Sequence, residues 1–303
     1  MHSSVRLDDA TLGLFERDLE VIETELDREE TSDLPFADGT IVPLDIENKP
    51  WARTITYRRV TRVGHFKLVR SYPTDIPMIN VLSEEFTFKV HRWAGGYWFS
   101  EDDIEAAVKG EIQIEQEDIA GVQESSRQKM NDLIAFGDKS LNLPGFVNHP
   151  DALHSFSPYR LDSSSTPQQC LAVLHDAVTS VVELTRQIEK PDTMILPLRA
   201  YHYLANTQVS DHLNTTILKQ FLDTSPYIKD IQPLNELAGA GVDGTNILMV
   251  FRRDKMKVKV KIMQELTWKP LQRKGLGYER AATFKFAGVI ARRPYSMHVV
   301  AGI

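Results

Sequence analysis

One segment of the chain, residues 49–74, combines a strand-forming pattern with strong positive charge. It reads KPWARTITYRRVTRVGHFKLVRSYPT and contains seven Lys or Arg but no Asp or Glu. Its β-branched and aromatic residues favour an extended strand, and the alternating stretch EEFTFKVHRW favours another. We predict a hairpin of about 35 residues with few large apolar side chains of its own. Because a two-stranded hairpin is barely stable alone in water, this one must lie against another surface.

The charge of the chain is distributed unevenly. The 303 residues sum to −7, whereas residues 1–40 contain three Arg and twelve Asp or Glu, a net of 3 − 12 = −9. The basic hairpin and these acidic stretches would not share one compact core, so we interpret the hairpin as an assembly element that meets acidic residues of a neighbouring copy. The candidate contact residues are Arg53, Arg58, Arg59, Arg62, Lys67 and Arg70 on the hairpin, and Glu111, Glu115, Glu117 and Asp118 at the start of a long helix.

Two other interpretations of the basic hairpin stay open. It could bind nucleic acid, with Trp51, Tyr57 and Phe66 stacking on bases. It could also be a solvated hairpin whose charges keep its edges unpaired. The pI near 5.8 argues against a protein dedicated to coating DNA.

The remaining composition is that of a globular protein without membrane segments. No apolar run reaches the roughly 18 residues that a membrane span requires, and the first residues lack the apolar core of a secretory signal. The single Cys170 cannot form an internal disulfide, which indicates a reducing compartment.

Apolar periodicity divides the chain into segments. Residues 1–40 are predicted to be a helical arm, and the longest helix is expected over residues 116–136. The loop LNLPGFVNHPDA then indicates a domain boundary, and the remainder alternates helix and strand patterns. In that remainder we predict a helix over 167–188 that is capped by Thr166, two further helices, the buried strand KPDTMILPL, and two strands joined at 253–255.

Motifs of catalysis and metal binding are weak in this sequence. Residues 239–244 fit G-x-G-x-x-G but precede a strand, NILMVF, so a loop is the better interpretation. The nine His show no H-E-x-x-H spacing, and Cys170 is interpreted as a small buried residue. We therefore predict no catalytic residue, no cofactor and no metal site.

The order of elements carries a resemblance to a known family. The relevant features are GYWFSEDDIEAAVKG leading into the long helix, Phe136-Gly137 before LPGFVN, the segments MILPLRAYHYL and VFRRDKMKVKV (taken as a hairpin), and Arg293-Pro294. With these features the chain resembles the major capsid proteins of tailed bacteriophages, whose Hong Kong 97-type fold is shared with encapsulins.

The resemblance implies an α+β fold with an N-terminal arm, an extended β-hairpin loop, a peripheral domain with a long spine helix, and an α/β axial domain. The spine helix would span residues 111–137, and the extended loop would lie over a neighbour's peripheral domain. The implied ranges are 1–48 for the arm, 49–84 for the extended loop, 85–149 with 265–303 for the peripheral domain, and 150–264 for the axial domain.

The resemblance also implies a structural function without catalysis. The chain would assemble with itself into pentamers and hexamers of an icosahedral shell around double-stranded DNA, in the host cytoplasm and then in the virion. Portal, decoration and separate scaffold proteins would be further partners, with no membrane and no sequence-specific DNA contact. The alternatives are an encapsulin-like compartment for protein cargo and, from another class, a soluble α/β enzyme using residues 239–244.

Overall fold

The computed structural model describes residues 33–47, 49–64, 66, 79–102, 114–210 and 213–303. The α-helices that lie within these residues are α1 (Ile114–Ala135), α2 (Pro167–Leu184), α3 (Leu198–Asn206) and α4 (Ile217–Thr224). The strands are β1 (Leu44–Ile46), β2 (Thr54–Val63), β3 (Asn80–Lys89), β4 (His91–Ser100), β5 (Gly137–Asp138), β6 (Leu143–Pro144), β7 (Leu153–Phe156), β8 (Thr193–Pro197), β9 (Gln208–Ser210), β10 (Leu213–Thr216), β11 (Asp230–Leu234), β12 (Ile247–Phe251), β13 (Val258–Trp268), β14 (Gln272–Lys274), β15 (Gly277–Ala291) and β16 (Met297–Ala301).

The first sheet is built around the long strand β15. Strands β13 and β14 pair antiparallel with β15 along one edge, β4 pairs antiparallel with it along the other, and β1 joins β13 in parallel. The buried end of α1, with Leu133 and Ile134, shares a core with Phe284 and Phe286 of β15. The long helix is therefore anchored by its C-terminal turn, as the apolar positions near residue 133 predict.

The second sheet has the order β11-β8-β12-β16-β7 and separates two cores. Adjacent residues of its strands face opposite sides, so Met249 joins the core of the first sheet while Leu248 and Val250 face α2, α3 and α4. Its central strands are buried on both faces, which explains why KPDTMILPL and NILMVF read as continuous apolar runs.

A tight turn follows α1 and leaves no room for a side chain at Gly137. Gly137 has a left-handed φ of 71°, and a Cβ placed there would lie 2.1 Å from the Leu143 carbonyl oxygen. Asn148 closes the turn: its Nδ2 donates to the Phe136 carbonyl at 2.8 Å, and its Oδ1 accepts from the Gly145 N–H at 3.0 Å. Glycine at 137 is thus required by both backbone angle and space.

Ion pairs fasten β1 to the first sheet. Lys261 is almost fully buried and donates to Asp45 at 2.8 Å and also to Glu47, while Lys259 donates to Asp45. Partial burial alone would raise the pKa of Asp45, but the hydrogen bonds and charges of the two lysines lower it to about 2. Asp45 therefore stays ionised over the whole neutral and mildly acidic range.

Several element boundaries differ from those the sequence suggests. Helix α2 begins at the predicted capping residue, with a reciprocal Thr166–Gln169 capping box, but it ends at Leu184 because Arg186 and Gln187 adopt left-handed backbone angles. The stretch EEFTFKVHRW is two strands, since β3 ends at Lys89 and β4 joins a different sheet.

The segment VFRRDKMKVKV is not the hairpin we took it to be. Its first strand, β12, lies in the second sheet, whereas its second, β13, lies in the first. Both strands are apolar and separated by a short polar link, which is the pattern of a hairpin as well as of a crossover between sheets. The sequence pattern therefore located the strands but not their partners.

Sheet membership does not follow the predicted domain ranges throughout. Strand β13 begins at residue 258, within the range assigned to the axial domain, yet it lies beside β15. Strand β16, in the range assigned to the peripheral domain, lies between β12 and β7 of the second sheet. The division into domains stays a proposal.

A buried histidine links β16 to α2. His298 is 1% exposed, and its Nδ1 lies 2.8 Å from the Ala177 carbonyl, which can only accept. In the neutral ring Nε2 is then the acceptor of the Ser155 hydroxyl at 2.7 Å. Burial is the main reason that the pKa of His298 lies below its usual value.

We expect this histidine to make the fold less stable as the medium becomes acidic. Below about pH 6.5 the unfolded chain binds a proton that the folded chain resists, so the free energy of unfolding falls as the pH drops further. Urea denaturation of unassembled subunits at about pH 7.5 and about pH 5 measures this fall. His298→Gln should reduce the fall, whereas His202→Gln, at an exposed position, should not; an equal fall in both variants contradicts the assignment.

Candidate subunit interface

Strands β2 and β3 form a hairpin whose outer part is bare on both faces. Ten residue pairs run from Thr54–Lys89 to Val63–Asn80. The apolar side chains of Val60, Val81 and Leu82 are 56%, 61% and 55% exposed, and the first six residues of β3 are all exposed. The partner of β2 is β3, and the stretch between these two strands lies largely outside the described residues.

The inner end of the hairpin packs on its own subunit. The Tyr57 hydroxyl donates to the Ala291 carbonyl at 3.5 Å, and the Arg292 guanidinium carbon lies 5.8 Å from the Tyr57 ring centroid. Arg59 lies over the ring of Phe86, with its guanidinium carbon 4.5 Å from the centroid. These inner residues are therefore supported by their own subunit, and the expectation of support from another chain stays a prediction for the outer part of the hairpin.

Pairing across the hairpin offsets part of the positive charge. The Nε of Arg58 donates to Glu85 at 2.7 Å, and Glu84 stands opposite Arg59 in the register. Over the described strands, three arginines of β2 face two glutamates and one lysine of β3. The hairpin is less basic than residues 49–74 alone, a point that the sequence could have shown had both strands been counted together.

The other candidate contact residues fall at different places. Arg53 is exposed just before β2, and Arg62 belongs to β2. Glu115 lies in the first turn of α1, and Glu117 and Asp118 are half-buried one turn later. The remaining candidates, Lys67, Arg70 and Glu111, lie outside the described residues.

A groove runs between α1 and β4 beside these acids. It encloses about 590 Å³, with Gly95 on the β4 wall and Gly121 on the α1 wall, and its charged lining residues are Glu117, Asp118 and Lys129. A Cβ added at Gly95 or at Gly121 would meet nothing within 4 Å, so the groove has open space on both walls. An extended segment with cations could lie here with its charges beside two carboxylates.

Cys170 and residues 239–244, which the sequence analysis considered as candidates for chemistry, have structural surroundings. Cys170 is buried, its thiol contacts the Arg160 carbonyl at 3.9 Å, and burial raises its pKa, as suits an inert core residue. Residues 239–244 form successive turns before β12, with no helix after them to receive a phosphate. The described residues contain no group of three His, Cys, Asp or Glu placed to hold a metal, and none of their helices is long and apolar enough to cross a membrane.

The fold itself defines a class of protein. The order of hairpin, long helix and α/β region over two sheets is that of Hong Kong 97-type capsid proteins, as solved structures show. The capsid of Myoviridae Phage XM1 superposes with a TM-score of 0.81 at 17% identity, covering 95% of this chain and 98% of that chain. A chain of Mycobacterium phage Bobi gives a TM-score of 0.62 at 14% identity, with 98% of both chains covered. The capsid of a native GTA particle gives 0.66 at 8% identity, covering 98% of this chain and 99% of that chain.

Sequence comparison then narrows the class to a family. A family model described as "Major capsid protein" matches residues 64–303, which is most of the chain. The chain belongs to this major capsid protein family and is a structural component of a phage-type shell. No curated protein matches it significantly.

Proposed function

We propose that this chain assembles through pentamers and hexamers into the icosahedral shell of a tailed phage, around double-stranded DNA. The observation that carries the proposal is the outer hairpin, which exposes Val60, Val81 and Leu82 on a single subunit. Apolar side chains exposed together on both faces of a two-stranded ribbon indicate a surface that another chain covers. In a protein of the capsid family, the covering chain is a second copy of itself.

The contact we propose joins the hairpin of one copy to the start of α1 in the next. The groove beside Glu117 and Asp118 has the open walls that an extended ribbon needs. Charge complementarity there would fix register and orientation, while the apolar side chains contribute buried area. The proposed contact residues are Arg53, Arg58, Arg59, Arg62, Lys67 and Arg70 against Glu111, Glu115, Glu117 and Asp118.

The same proposal gives each part of the chain a place in the shell. Residues 1–48 serve as the arm, 49–84 as the extended loop, 85–149 with 265–303 as the peripheral domain, and 150–264 as the axial domain. The role is structural and non-catalytic. Each contact between subunits is weak alone, and its repetition by symmetry makes the closed shell strong. Assembly takes place in the host cytoplasm, with portal, scaffold and decoration proteins as partners.

Particle size and content test this function. Light scattering on the purified full chain should give megadalton particles, and electron microscopy should show closed shells. A small oligomer of fixed size contradicts the proposal and favours the enzyme alternative. Particles from infected cells should contain double-stranded DNA; shells filled with a protein cargo and free of DNA support the encapsulin-like alternative instead.

A further inference from the structure

A cleft of about 480 Å³ opens where the inner end of the hairpin, the end of α2 and residues 292–295 meet. Four arginines line it, one from the hairpin, one after α2 and two after β15: Arg59, Arg186, Arg292 and Arg293. We call this site the arginine cleft. It is separate from the groove between α1 and β4, and of its four arginines only Arg59 is also a proposed contact residue of the hairpin.

None of these four guanidinium groups has a protein acceptor among the described residues. The buried Nε atoms of Arg59 and Arg292 lack any hydrogen-bond partner. By contrast, Arg58, Arg127, Arg252 and Arg273 each lie beside a carboxylate. Four guanidinium groups without such a partner in one concave site attract anions.

Aromatic rings help to position two of the four arginines. Arg59 lies over the ring of Phe86 and Arg292 over the ring of Tyr57, contacts that leave their N–H groups without acceptors. Arg186 and Gln187 have φ angles of 49° and 65°, an uncommon pair of left-handed residues that turns the chain at the cleft wall. Backbone strain of this kind is often found at binding sites.

A buried carboxylate in the lining does not neutralise the cleft. Glu189 is 3% exposed, and its Oε1 lies 2.5 Å from the Nζ of Lys257. Its Oε2 has no hydrogen-bond partner and lies 3.9 Å from a guanidinium nitrogen of Arg252. Because these two cations offset the charge of Glu189, the four arginines leave a strong positive potential in a half-enclosed site with apolar walls.

We propose that the arginine cleft binds phosphate groups. Guanidinium forks match phosphate oxygens in pairs, and a phosphate presents oxygens to several guanidiniums at once, whereas one carboxylate has only two oxygens. Four arginines around one cleft therefore suit phosphate better than a single acidic side chain. The phosphate could be free in solution or part of a nucleic-acid backbone, since both offer the same chemistry.

Binding by the full chain tests this site. Calorimetry would measure inorganic pyrophosphate, and fluorescence anisotropy would measure a labelled DNA duplex of about 20 base pairs over a salt series. The variant R186Q/R293Q changes two exposed residues of the cleft outside the hairpin, and R160Q/R199Q removes the same charge at exposed sites elsewhere. We expect about tenfold weaker binding in the first and less than about twofold change in the second.

Each outcome has a definite meaning. Loss of pyrophosphate binding only in the cleft variant supports a site for free phosphate, and loss of DNA binding, with a salt slope lower by about 2, supports the nucleic-acid backbone. Equal loss in both variants, or no binding of either probe, overturns the proposal. Tighter binding of a polyglutamate peptide than of both phosphate probes also overturns it, in favour of an acidic protein partner. If circular dichroism shows that the double variant is unfolded, R293Q alone should weaken binding at least about threefold.

Discussion

Reversing three hairpin cations, by Arg58→Glu, Arg59→Glu and Arg62→Glu, should abolish shells and leave a folded subunit. The substitutions change the charge of β2 from +3 to −3 where we place it beside Glu117 and Asp118 of a neighbour. Like charges brought together at a contact cost several kcal/mol, and a shell repeats the contact in every subunit. Light scattering should therefore show subunits or small oligomers, and circular dichroism should show an unchanged fold.

Two matched variants separate the causes of such a loss. Arg58→Glu with Glu85→Arg preserves the cross-strand ion pair and the net charge, so it should still form particles. Val81→Ser with Leu82→Ser removes exposed apolar area only; subunit stability should change by less than about 0.5 kcal/mol while assembly weakens. Normal particles from the triple reversal would rule out the charge contact that we propose.

Gly137→Ala should produce the largest loss of subunit stability. The added Cβ would meet backbone atoms of residues 143–145 at 2.1 to 2.8 Å, and the left-handed φ would be strained as well. Because these backbone atoms cannot move aside as the end of a flexible side chain can, we expect the free energy of unfolding to fall by about 3 kcal/mol or more. Urea denaturation of unassembled subunits measures this loss.

Gly121 supplies the control for that measurement. It lies inside α1 with open space around its Cβ position, so Gly121→Ala should stabilise the subunit by roughly 0.5–1 kcal/mol through helix propensity. The two substitutions are chemically identical. Gly121 lies within α1, and Gly137 lies just past its end. Similar effects of both would show that the turn after α1 is less constrained than its geometry indicates.

Local patterns in the sequence located most elements of the fold. The apolar stripe near Leu133, the Thr166 cap and the continuous apolar strands predicted α1, the start of α2, β8 and β12 because each signal acts within a few residues. Such local signals do not determine which strands pair when they are far apart in the chain. Nothing local distinguishes a β12–β13 hairpin from a crossover, since both need two apolar strands and a polar link.

The candidate interface was predictable in part for the same reason. The charge of residues 49–74 was evident, but its partial neutralisation by Glu84 and Glu85 depends on the register of β2 and β3. The arginine cleft had no sequence signal, because Arg59, Arg186 and Arg292 are far apart in the chain and meet only after folding. The left-handed angles at Arg186 and Gln187 likewise come from tertiary structure, as neither residue type favours them.

The position of β16 sets a limit on when a subunit can mature during synthesis. Among the described strands β7 pairs only with β16, and β16 also covers one edge of β12, so residues 297–301 join β7 to the rest of its sheet. Until the ribosome has released those residues, the nascent chain has an unsealed sheet edge and an uncovered flank of α2. In the assembly that we propose, a polypeptide still under translation would therefore be unfit to join its neighbours, and only finished copies would enter the shell.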